Sequence, residues 1–91
     1  MSSSEAAVAE AVSNNLSRFS IHARAEPGVM PRVLELFAKR GLVPYRWQSV
    51  VTPPDAGLTI DIEIAGMPLE TVDYVAACIR MIAGVDVVLT I

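Results

Sequence analysis

Residues 24–41, RAEPGVMPRVLELFAKRG, place a Pro-Gly pair at the mouth of a run with helical spacing and close that run with Lys-Arg-Gly. Glycine at a helix mouth lets a ligand approach the backbone. The first turn adds free N–H groups and the positive end of the helix dipole. That combination suits a carboxylate; a tight strand-to-helix turn would use the same residues. Other chemistry is sparse. His22 is the only histidine, and no Ser or Cys nucleophile stands near it with a third orienting group. Asp61 and Glu63 lie two apart on an alternating run and could form a carboxylate pair. With no further ligand cluster, a solvated or salt-bridged sheet face is expected there and no metal site. Cys78 is the single cysteine, so no disulfide forms within the chain, and its apolar helical surroundings point to packing rather than reactivity.

These candidates sit in a chain of 91 residues, enough for one domain. Hydrophobic residues are 53% and charged residues 19%, which is apolar for so small a domain and points to surface shared with another chain. The net charge is −3, and only Lys39-Arg40 brings two basic residues together. Phosphate binding needs concentrated Lys and Arg, so nucleic acid is not an expected partner. No apolar run approaches membrane-spanning length, and the N-terminus lacks the basic and apolar segments of a secretory signal, so a cytoplasmic protein is expected.

Residues 1–17 are Ser-, Ala- and Asn-rich and predict a flexible arm or short helix; residues 18–91 predict the domain. RFSIHARA at 18–25 alternates, with Phe19, Ile21, Ala23 and Ala25 on one face of a strand. Met30, Val33, Leu34 and Phe37 then form a helical stripe ended by Gly41. LVPYRWQSVVT at 42–52 predicts a second strand, opened by Pro44, and PPDAG a turn. LTIDIEIA at 58–65 is a third strand, with Leu58, Ile60, Ile62 and Ile64 inward. Leu69, Val72, Val75, Ala76, Ile79 and Ile82 form the apolar face of a second helix. VDVVLTI at 85–91 is a last strand, with Val85, Val87, Leu89 and Ile91 on one face. The order β-α-β-β-α-β predicts an α+β, ferredoxin-like fold: a four-stranded antiparallel sheet, order 4-1-3-2, with two helices on one face. Strand 1 beside strand 3 would set His22 and Arg24 against Asp61 and Glu63.

The predicted open face carries Ser20, His22, Arg24, Thr59, Asp61 and Glu63, with no aromatic platform for RNA. The first loop, Glu26-Pro27-Gly28, has neither a Cys pair for a heavy metal nor the arginine of an acylphosphatase-like nest. What the loop and its helix do resemble is the ACT domain, a small regulatory module of this topology that often binds amino acids. Gly28, Arg32-Val33, Leu36-Phe37 and Arg40-Gly41 match its motif spacing, over about residues 18–91. The similarity is strongest to the small regulatory subunit of acetolactate synthase (acetohydroxyacid synthase).

The resemblance implies a ligand site at Ala25, Glu26, Gly28, Val29, Met30 and Val43. Amino-acid-binding members usually carry Asn or Asp three residues before the glycine, where Ala25 stands. They often carry a polar residue two after the second glycine, where Val43 stands. Both polar anchors for an effector are absent, which implies a degenerate amino-acid site. The expectation is a non-catalytic regulatory module with no cofactor, forming a homodimer, binding a large catalytic subunit of branched-chain amino-acid synthesis, and holding an amino acid weakly. The alternatives are a free-standing amino-acid sensor and, from another class, a small ferredoxin-like enzyme.

Overall fold

The computed structural model describes residues 16–54 and 57–91; most of the expected N-terminal arm therefore lies outside the described residues. Among them, four strands and two helices follow in the order β1 (Leu16–Arg24), α1 (Val29–Ala38), β2 (Arg46–Thr52), β3 (Gly57–Ala65), α2 (Leu69–Arg80) and β4 (Val85–Thr90). The strands form one antiparallel sheet, β2-β3-β1-β4, the predicted order read from the other edge.

Alternation fixes the inner face. Phe19, Ile21 and Ala23 of β1 oppose Ile62, Ile60 and Leu58 of β3, and all six are buried. An aligned antiparallel pair sends opposed side chains to the same face, so this register commits both central strands to the core at once. Both helices cover that face. Val29, Val33 and Phe37 come from α1, and Val72, Val75, Ala76 and Ile79 from α2. The helices are joined by Arg40, whose guanidinium lies 4.9 Å from the centre of the Tyr74 ring while Nη1 donates to the Leu36 carbonyl at 2.8 Å. Arg80 Nη2 donates to the Val88 carbonyl at 2.8 Å, tying α2 to β4.

Four expectations are corrected. The four residues expected on one face of β4 are divided: Val85 opposes Ala23 and packs on the core, whereas Val87, Leu89 and Ile91 are exposed and Val88 is buried. The register between β1 and β4 slips at His22/Ala23, so that His22 opposes Val87 but Ala23 opposes Val85. The extra residue, Asp86, is a bulge, and a bulge reverses the phase of alternation beyond it. In α1 the buried line is Val29-Val33-Phe37, and Leu34 is 44% exposed on the helix flank. β2 begins at Arg46, and Leu42–Tyr45 is a connection in which Leu42 N–H donates to the Phe37 carbonyl (3.0 Å), closing the helix end. The expected opposition of His22 and Arg24 to the carboxylates is displaced by register. Arg18 faces Glu63 (3.6 Å), while His22 faces Thr59 and Arg24 faces Gly57.

Candidate functional site

β1 leaves the sheet at Arg24, whose N–H donates to the Gly84 carbonyl at 2.8 Å. The chain turns at once: Glu26 N–H donates to the Arg24 carbonyl (2.8 Å), and Val29 N–H to the Glu26 carbonyl (3.1 Å). The helix starts from there. Gly28 is its N-cap residue with φ −82° and ψ −10°, a conformation open to any residue, so the turn does not need glycine for its backbone. Gly84, at the neighbouring turn, does. Its φ is +96°, and a Cβ there would lie 2.9 Å from Glu26 Oε1 and 3.2 Å from Val29 Cγ2.

Two charged side chains flank the mouth. Glu26 lays its carboxylate against Gly84. Arg32, one helical turn past Gly28, folds back so that Nη1 would lie 2.8 Å from a Cβ on Gly28. The first turn has fewer free donors than residues: the Val29 amide is engaged by the Glu26 carbonyl, and Pro31 has no N–H. The amides of Gly28 and Met30 remain without a backbone acceptor among the described residues. An anion at this mouth would meet two amides, the dipole and a guanidinium. A cation would meet the Glu26 carboxylate.

Of the expected site residues, Ala25 and Glu26 are exposed, Gly28 and Met30 half-buried, and Val29 fully buried in the core. Ala25, Glu26, Gly28 and Met30 share the mouth. Val43 is 84% exposed and lies beyond the other end of α1. A ten-residue helix is about 15 Å long, so one chain does not bring Val43 to Gly28. Arg32 was not anticipated as a site residue. Its position four after Gly28 was the available signal, since residues four apart share a helix face.

Elsewhere, His22 lies on the open sheet face between Thr59 and Val87, away from Cys78, which is half-buried on α2. Among the described residues no group of three or more His, Cys, Asp or Glu gathers as a metal site, and no helix is long and apolar enough to cross a membrane. A concavity of about 340 Å³ on the open face is lined by Arg18, Arg46, Gln48, Asp61 and Glu63 among others.

A family profile described as an ACT-like domain matches residues 10–90. No curated protein sequence matches the chain. Among solved structures, the ACT domain from GTP pyrophosphokinase of Chlorobium tepidum superposes with a TM-score of 0.71 at 14% identity, over 85% of this chain and 97% of that one. The C-terminal domain of the MgtC protein from Mycobacterium tuberculosis gives 0.69 at 14% identity, covering 85% of each chain. A homoserine dehydrogenase from Thiobacillus denitrificans gives 0.70 at 15% identity, over 85% of this chain and 17% of that one. At these identities the likeness is one of fold.

Proposed function

The chain belongs to the ACT-like domain family, and we propose that within it this protein is a non-catalytic regulatory module whose work is done by protein contacts rather than by a tightly held effector. It pairs with itself and binds a larger catalytic subunit of amino-acid synthesis, acetolactate synthase being the enzyme to which its motif spacing points. The observation that carries this reading is the helix mouth. Ala25 offers no side-chain acceptor for an ammonium group, Val43 is remote within the chain, and the Val29 amide is already engaged by the Glu26 carbonyl. Self-pairing is supported by the β2 edge, where Val51 is 54% exposed on the helix side of the sheet, and by Leu34, 44% exposed on α1. Open edges and uncovered apolar groups invite a second chain. The fold occurs as the ACT domain of a GTP pyrophosphokinase and as 17% of the dehydrogenase chain, in keeping with a module that serves larger enzymes.

Co-expression with an acetolactate synthase catalytic subunit tests the reading. A complex that survives gel filtration supports it. Two separate peaks would count against the partner.

The opposed charges of Glu26 and Arg32 favour one second reading, a free-standing amino-acid sensor. The two groups could hold the ends of a zwitterion with the polarity carried by side chains. Calorimetry with amino acids separates the readings: micromolar binding by the isolated chain supports the sensor.

A further inference from the structure

The open face of the sheet carries side chains that neither helix covers, and the register sorts them into rows. Arg46, Glu63 and Arg18 form one row, ended by Ile91, whose N–H donates to the Arg18 carbonyl at 3.0 Å. Gln48, Asp61, Ser20 and Leu89 form the next. Val50, Thr59, His22 and Val87 form the third. Four of these are exposed apolar residues on the two outer strands: Val50 48%, Val87 44%, Leu89 52% and Ile91 83%. Within these three rows the charged residues occupy the first two and balance, two guanidiniums against two carboxylates; Arg24, opposite Gly57, stands one row beyond and would meet that glycine of the second copy.

This arrangement complements itself. Consider a two-fold axis parallel to the strands, passing over the seam between β1 and β3. It keeps each row on its own row and exchanges β1 with β3 and β4 with β2. Glu63 then meets Arg18 of the second copy, twice. Asp61 meets Ser20, and Thr59 meets His22. Val50 meets Val87, and Gln48 and the aliphatic stem of Arg46 cover Leu89 and Ile91. No like charges oppose one another. A two-fold perpendicular to the strands between the first two rows would instead set Glu63 on Asp61. Packed twisted sheets keep strand directions within about 30°, so rows near the seam stay opposite.

From this pattern we infer that the open sheet face is a second self-association surface, distinct from the β2 edge and taking another copy of this chain. Three rows on four strands make a footprint of roughly 19 by 20 Å, about 400 Å² per copy. That is about half of what a standard interface buries per partner, so the pairing belongs to the weak class and forms at high concentration. Where the edge also pairs, the face joins two dimers into a tetramer.

Sedimentation equilibrium from micromolar to millimolar concentration tests this with Val50→Lys, Val87→Glu and Val51→Glu, circular dichroism confirming each fold. All three positions are exposed, and within one chain Val50 and Val87 are separated by two strands. Each face variant alone is expected to halve the largest assembly. An equimolar mixture of the Val50→Lys and Val87→Glu chains is expected to restore it, because the new charges oppose across the two-fold. Val51→Glu, on the opposite side of the sheet, removes only the edge step; if it changes nothing while the face variants act, the edge reading fails and the face stands. A mass insensitive to both face substitutions, or a mixture that does not recover, would overturn the inference, including the case where a different protein covers this face.

Discussion

The ring of Phe37 on α1 meets the ring of Phe19 on β1 edge-on, with centroids 5.5 Å apart and planes inclined by 74°. Both residues are buried, at 0% and 1% exposure, so the contact fastens the first helix to a central strand. Edge-to-face aromatic pairs add to the area that each ring buries. Phe37→Ala is expected to cost about 3–5 kcal/mol, enough to unfold a marginal small domain. Chemical denaturation measures it; a loss below about 1 kcal/mol would mean that the helix is held by other contacts.

The bulge at Asp86 predicts unequal effects from two adjacent valines. Val88 is 3% exposed and Val87 44%. Val88→Ala should cost about 2 kcal/mol, from lost burial and the cavity left behind. Val87→Ala should stay within about 0.5 kcal/mol. Urea melts of the two variants decide the phase of β4, and the reverse order would contradict the register.

That strand also marks where the sequence stops being informative. LTIDIEIA reads correctly because it alternates without interruption and pairs on both sides. The same rule applied to VDVVLTI puts Val85 on one face with Val87, Leu89 and Ile91, which the bulge separates, since a one-residue insertion relative to β1 depends on the partner strand and leaves no mark in the apolar pattern. Leu34 misleads in a similar way: helical spacing admits it to the stripe, and only packing decides that Val29 is central and Leu34 flanking. Pro44, Tyr45 and their neighbours look like strand, yet β2 begins only at Arg46: Leu42 closes α1, and Tyr45 N–H reaches the Glu63 carbonyl on β3 at 2.7 Å. At the mouth, Gly28 and the helix start were legible from Pro-Gly before a periodic run. The Arg32 guanidinium was not, and Glu26, though expected at the site, could not be placed against Gly84, because both depend on how long side chains fold back over the turn and on a glycine far along the chain.

The two glycines beside the mouth should therefore respond oppositely to a methyl group. Gly84→Ala faces a positive φ and a contact at 3.2 Å with a core valine, so at least about 1–2 kcal/mol should be lost. Gly28→Ala meets only the end of the flexible Arg32 side chain at a permitted φ and should stay within about 0.5 kcal/mol of the wild type. Thermal melts of the pair test this, and a large loss at Gly28 would show that the turn demands glycine.

Effector binding at the mouth should be feeble. The dipole and amides supply about 0.3–2 kcal/mol, against the roughly 5.5 kcal/mol of a 100 µM complex. Valine, leucine and isoleucine are expected to bind the isolated chain in the millimolar range at best. Ala25→Asn should tighten that binding and Arg32→Ala should weaken it. Calorimetry on the three proteins checks both directions; tight binding by the wild type would replace the degenerate-site account with the sensor.

The most direct measurement of the regulatory role is a titration of the chain into a purified acetolactate synthase catalytic subunit, following turnover with and without valine. The account predicts a saturable change in turnover that depends on the added chain and is largely indifferent to valine. Unchanged turnover with no complex formed at saturating concentration would contradict it.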